Sequence, residues 1–142
     1  MPRTYSTRVA ALAIAVQPKW LDNLLSHFAL PGIESGGQGV ERRISDDGLL
    51  AIEVTRVLAD ELGMALGIAA VFARALVGQA SRDIARVTTA SGASVTVSLQ
   101  DVEQRLRRQL ADALESSPRI KRGRPRRTPT QKKTPSDGSL GA

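Results

Sequence analysis

Cysteine is absent from the 142 residues. That excludes disulfides, thiolate nucleophiles and cysteine-ligated metals, and it suits a reducing compartment. Histidine occurs once, at His27, so a histidine-built metal cluster is excluded as well. Aromatic residues are few: Tyr5, Trp20, Phe28 and Phe72. A core must therefore be assembled from Ala, Val, Leu and Ile. No apolar run approaches the roughly 20 residues that span a bilayer. The apolar stretch 9–16 is short, and no small-residue cleavage site follows it, so no membrane span or signal peptide is expected. The chemistry of catalysis is missing too. No Ser/His/Asp set, phosphate-binding glycine loop or metal-ligand spacing occurs, and Asp46, Asp47, Asp60 and Glu61 read as helix-cap and surface carboxylates. Gly36-Gly37-Gln38-Gly39 is too short for a nucleotide loop. The expectation is a protein that is not an enzyme, with no cofactor and no evident small-molecule effector.

What is present is positive charge, unevenly placed. Residues 1–117 carry 12 basic and 13 acidic side chains, a balance of −1, whereas residues 118–142 carry 8 basic and one acidic, a balance of +7. Attraction to a polyanion should therefore belong mostly to the tail. From residue 117 onward Pro, Ser, Thr, Gly and basic residues dominate, a composition that buries too little apolar surface to order itself. A disordered basic tail is expected at 117–142.

Inside that tail lies Lys121-Arg122-Gly123-Arg124-Pro125-Arg126-Arg127. Its Arg-Gly-Arg-Pro centre resembles the AT-hook, a motif that lies in the minor groove of A·T-rich DNA. Gly123 has no side chain, so backbone can approach the groove floor. Pro125 favours an extended path for Arg124. Arg122 and Arg124 can then run along a narrow groove where A·T tracts concentrate negative potential, with Lys121, Arg126 and Arg127 on phosphates. The competing reading is a solvated basic run.

Taken in order, residues 1–4 are expected to fray. Ser6 or Thr7 can cap a first helix that ends near Ala15-Val16-Gln17. Pro18 then opens a second helix to about Phe28, with Leu21, Leu24, Leu25 and Phe28 as its apolar stripe. Two short helices across a tight turn are a helix-turn-helix pattern. A glycine-rich loop follows to Gly39. Ser45 caps a third helix with Asp46 and Asp47 in its first turn, and Gly63 stops it. A fourth runs from about Ala65 to Val77. Val- and Thr-rich stretches at 84–89 and 94–99 around Ala90-Ser91-Gly92-Ala93 predict a β-hairpin. Asp101 reads as the cap of a last helix with Val102, Leu106, Leu110 and Leu114 as its stripe. That stripe can cover the hairpin or pair with a second copy of the chain.

Residues 5–77 resemble the DNA-binding domain of the MerR family, a winged helix-turn-helix. The resemblance is carried by Tyr5-Ser6, Ala10-Ala11, Val16, Pro18-Lys19 and Leu21. Leu30-Pro31 at the exit to the wing, the run Arg43-Ile44-Ser45-Asp46-Asp47-Gly48-Leu49, and Leu62-Gly63-Met64-Ala65-Leu66 continue it. The chain departs from the family at Asp22-Asn23, which stand where Arg-Tyr is common, and at Ala15, which replaces a turn glycine. The family's long dimerising helix and effector-binding region have no counterpart after residue 77, so the resemblance implies DNA binding and not inducer sensing.

The fold class expected is mainly α. A winged helix-turn-helix (1–77) is followed by a β-hairpin and helix for packing or self-association (78–116), then the basic tail (117–142). The expected DNA-binding residues are Ser6 at the first helix, Lys19, Trp20 and Asn23 near the second helix's start, Arg42 and Arg43 in the wing, and 121–127 in the tail. Trp20 reads equally as a core anchor, and the wing arginines as charges guarding an edge strand. The partners expected are double-stranded DNA and a second copy as homodimer. The setting expected is cytoplasmic and nucleoid-associated, and transcription regulation is the expected use. The alternatives are an architectural A·T-rich DNA-binding protein and an antitoxin- or adaptor-type interaction module.

Overall fold

A computed structural model describes residues 3–35, 41–79 and 83–116. The described chain is mainly helical, with small antiparallel sheets. The elements run β1 (Thr4–Tyr5), α1 (Thr7–Ile14), α2 (Pro18–His27), β2 (Ile33–Glu34), β3 (Arg43–Ser45), α3 (Asp46–Glu61), α4 (Leu66–Val77), β4 (Ile84–Thr88), β5 (Ser94–Ser98) and α5 (Leu99–Ser116). β3 is the middle strand of a three-stranded sheet, ordered β1-β3-β2, and β4 pairs with β5. No helix among the described residues is long and apolar enough to cross a membrane.

The centre is the first half of α3. Every residue from Gly48 to Thr55 is buried, which marks a helix enclosed on all sides rather than one with a single apolar stripe. α4 packs along it, and α5 packs along α1 and touches α3. The large, fully buried side chains are aliphatic apart from Glu53 and Thr55. One apolar cluster runs from Tyr5 through α3 to Val97, Leu99 and Ala113. The stripe of α5 is thus core against α1.

Local chemistry explains the element boundaries. Ser45 caps α3, its Oγ accepting the Gly48 N–H at 3.2 Å. Gly48 also meets Gly32 closely. A Cβ on Gly48 would lie 2.6 Å from the Gly32 carbonyl oxygen, and one on Gly32, at φ +75°, would strike Ser45 and Gly48. The pair lets the turn before β2 and the start of α3 come together, where the Ser45 N–H donates to the Gly32 carbonyl, 2.9 Å. Thr55, buried mid-helix, satisfies its hydroxyl on the Ala51 carbonyl, 2.7 Å.

Three sequence expectations are corrected. Thr4 does not fray but pairs with Ser45 as part of β1, because Tyr5 is buried and its hydroxyl donates to Asp46, 3.1 Å. Asp101 is not the cap of α5. The helix begins at Leu99, and the Asp101 N–H points to Ser98 Oγ at 3.4 Å, so the last residue of β5 takes the capping position. Leu114 is 41% exposed and Ala113 is buried in its place. Steps of four residues drift around a 3.6-residue helix, and after Leu110 the buried position falls three residues on.

Glu53 is the one charged side chain in the described core, with no exposed surface. Its Oε1 accepts from Arg56 Nε (2.8 Å) and its Oε2 from Arg56 Nη2 (3.0 Å) and Arg105 Nη2 (2.8 Å). The hydrogen bond to Glu53 raises the Arg56 pKa further, against the opposing effect of burial. The Arg105 contact ties α5 to α3. Glu53→Gln removes the charge shared by Arg56 and Arg105 and leaves Arg56 with only the more distant Asp60, 3.5 Å away, as a carboxylate partner among the described residues. Removing one partner of a buried pair costs about 3–5 kcal/mol. Arg105, 41% exposed, can rehydrate, so a loss of about 3 kcal/mol is expected by urea denaturation.

Tyr5 supplies a pH prediction. Burial raises its pKa above the ordinary 10.0, and the charge of Asp46 and the hydrogen bond to it add to the effect, while Arg3 opposes it. The fold therefore favours the neutral phenol. Its contribution to stability is complete below the unfolded pKa and is lost as pH rises through the folded one. Stability should fall above pH 10 by more in the wild type than in Tyr5→Phe, as read by melting temperature. Tyr5 is the sole tyrosine, so its phenolate absorbance follows the titration directly.

Candidate nucleic-acid interface

The candidate surface is the open face of α2, and the turn before it sets its placement. Ser6 caps α1, its Oγ accepting the Val9 N–H at 3.2 Å. At the other end Ala15 adopts φ 65° and ψ 45°, the left-handed region. The Val16 N–H donates to the Ala11 carbonyl (3.0 Å) and the Ala15 N–H to that of Leu12 (3.2 Å). These two bonds make a Schellman ending. Gln17 and Pro18 then start α2 with no orphaned donor at the proline. Leu21 and Leu24 are buried, and the opposite face leaves Lys19, Asp22, Asn23, Ser26 and His27 exposed.

That exposed face borders a shallow groove of about 590 Å³, lined by Gln17, Lys19, Trp20, Asp22, Asn23, Ser26 and His27. Trp20 is half-buried: it packs on the core and also lines the groove. The core-anchor reading is thus met in part, and the remaining side of the ring stays open to the groove. Lys19, Asn23 and His27 follow one another at steps of four, a single row along the helix. His27 Nδ1 lies 2.9 Å from the Asn23 carbonyl oxygen. A donating Nδ1–H leaves Nε2 as the outward acceptor.

The β2–β3 hairpin is fastened beside this row. Arg42 donates from Nη1 to Asp22 Oδ1 (2.6 Å) and from Nη2 to Ser26 Oγ (3.0 Å). The Asp22 side chain is 64% exposed, so the pair adds little stability, about 0–1 kcal/mol. Its effect is geometric and electrostatic. It fixes the hairpin against α2, and it offsets the one carboxylate on the groove. Arg43 is exposed and stands opposite Glu34 in the strand register, on the other side of β3 from buried Ile44.

The expected site residues therefore separate. Lys19, Trp20 and Asn23 share one groove. Ser6 lies at the start of α1, and its side-chain oxygen is occupied in capping. Arg42 is held by Asp22 and Ser26, whereas Arg43 projects freely from the sheet surface. Lys121, Arg122, Gly123, Arg124, Pro125, Arg126 and Arg127, like the Gly36–Gly39 loop tip, lie outside the described residues. Two features were missed in the sequence. One is His27, whose signal was its spacing of four from Asn23 and eight from Lys19. The other is the Arg42–Asp22 bond, which joins residues 20 apart and has no local signal. Among the described residues no group of acidic residues and histidine is arranged to hold a metal ion.

No family model, curated protein or solved structure matches this chain.

Ala15 gives a direct test of the turn. A left-handed conformation costs an alanine roughly 1–2 kcal/mol, whereas glycine adopts it freely at some cost in unfolded-chain entropy. Ala15→Gly should stabilise the protein by about 0.5–1 kcal/mol in denaturant titrations. A destabilised variant would contradict the assigned turn.

Proposed function

We propose that the protein binds double-stranded DNA as a transcription regulator, with a MerR-like winged helix-turn-helix as its reading unit. In this reading α2 enters the major groove, the β2–β3 hairpin acts as a wing beside it, and the tail grips an A·T-rich minor groove as an AT-hook. The observation that carries the reading is the row Lys19–Asn23–His27. It sits on a helix that follows a tight left-handed turn and is braced by the hairpin. Residues near the start of a recognition helix meet base edges. Asn can bond an adenine edge in two places, and Lys can reach guanine. Arg43 is the wing cation left free for a phosphate.

The charge distribution supports a division of labour. Residues 1–117 carry a balance of −1 and the tail +7. The folded part supplies shape and choice of site, and the tail supplies most of the electrostatic affinity. Linking two modest binders raises the effective concentration of the second at its site. The same charge distribution also favours a second reading, an architectural protein that coats A·T-rich DNA with little choice of site.

Binding to defined A·T-rich and G·C-rich duplexes across a salt series separates the two. Deleting residues 118–142 should weaken binding and flatten its salt dependence, by about 0.9 in logarithmic slope for each phosphate no longer neutralised, while some site preference survives. Arg122→Ala with Arg124→Ala should abolish the A·T preference of the full chain. Lys19→Ala and Asn23→Ala should each reduce discrimination between sites by about 1–3 kcal/mol. Loss of all duplex binding in the tail-less protein would remove the helix-turn-helix reading and leave the architectural one.

A further inference from the structure

Among the described residues, the β4–β5 ribbon has one closed edge and one open one. Its register sets Ala85 opposite Val97, Arg86 opposite Thr96 and Val87 opposite Val95. At the turn the Thr89 N–H donates to the Ala93 carbonyl, 2.7 Å. In an antiparallel ladder the backbone groups of successive residues point to opposite edges. Ala85, Val87 and Thr89 therefore face β5, and Arg86 faces away from it. That outer edge of β4 is already taken. The Gln79 side-chain amide donates to the Arg86 carbonyl (2.5 Å) and accepts from the Arg86 N–H (3.2 Å), filling the place of a neighbouring strand.

The same alternation turns the N–H and C=O of Ser94, Thr96 and Ser98 away from β4. Among the described residues no strand or side chain takes up the backbone groups of Ser94 or Thr96. Both residues are exposed. Nothing in β5 blocks an edge in the usual ways, because it has no charge and no proline.

We propose that a second copy of the chain docks here, β5 against β5, to make a four-stranded antiparallel sheet. The strand reads Ser-Val-Thr-Val-Ser, the same in both directions. With the two-fold axis at Thr96, that residue faces its own counterpart, Val95 faces Val97 of the partner subunit, and Ser94 faces Ser98 of the partner subunit. The two copies then continue one valine face and one Ser/Thr face, with no charge opposed to a like charge. A two-stranded ribbon is marginal alone, and pairing doubles it. The chain's own tail is the poorer occupant, since prolines at 118, 125, 129 and 135 interrupt it and its basic run repels strand stacking.

Sedimentation of the full chain without DNA tests this independently of the DNA-binding reading. The short edge should give a monomer–dimer equilibrium with a dissociation constant in roughly the micromolar range. Thr96→Pro removes an N–H that bonds nothing among the described residues, so its melting should stay near wild type while dimerisation weakens at least tenfold. Opposed residues in such a pair have Cα atoms about 5.5 Å apart, within disulfide reach. In this cysteine-free chain, Thr96→Cys should cross-link into dimers on mild oxidation well ahead of Thr88→Cys on the closed side of the ribbon. A wild type that stays monomeric at all concentrations, a dimer that survives Thr96→Pro, or equal cross-linking of the two cysteine variants would overturn the proposal.

Discussion

The buried carboxylate of Glu53 is the constraint on which the arrangement depends. A charge with no exposed surface must be matched, and its two oxygens are met by Arg56 from its own helix and by Arg105 from α5. An apolar residue at position 53 would pack without caring which element lay above it. A carboxylate accepts only a guanidinium delivered at hydrogen-bond distance. The position of α5 over α3 is thereby specified as well as stabilised. Since α5 also packs along α1, the specification passes on to the helix that precedes the α1–α2 turn.

From that turn outwards the structure exchanges core packing for polar fastening. Leu21 and Leu24 hold the inner side of α2, and the outer side is left to Lys19, Asn23 and His27. The hairpin next to it has only two-residue β2 and three-residue β3 to build with. So short a sheet needs an anchor beyond its ladder, and it has two: Ile44 in the core and Arg42 on α2. The surface proposed for DNA is thus rigid at its base and polar at its rim. That division suits a site that must keep its shape while exposing hydrogen-bonding groups.

Much of the fold was legible in the sequence because its boundaries rest on local chemistry. Ser6, one of two caps expected for α1, and Ser45 cap their helices, Pro18 opens α2, and the Val/Thr alternation at 84–88 and 94–98 forms the ribbon. What was not legible rests on distant partners. Glu53 in a helix reads as a solvated carboxylate until Arg105 is seen 52 residues away. Arg42 reads as a free wing cation until Asp22 is seen beside it on α2. The cap of α5 was misplaced because Asp101 is the better capping residue by type, but Ser98 stands where the strand ends. Of the candidate site, the row on α2 was visible up to Asn23. Its continuation at His27 was passed over because the ring sits beside Phe28 and reads as a helix-end polar group.

The two bonds of Arg42 also work as a gauge. A planar guanidinium that bonds Asp22 and Ser26 together favours one separation between hairpin and helix. A double helix varies in the width and depth of its grooves with sequence and strain. If α2 and the hairpin contact a duplex as proposed, two elements biased to one span follow that variation only at some cost. Stretches whose groove already matches the span would be held at little cost, and others would have to be bent or widened first. In such a case the protein measures form before it touches any base.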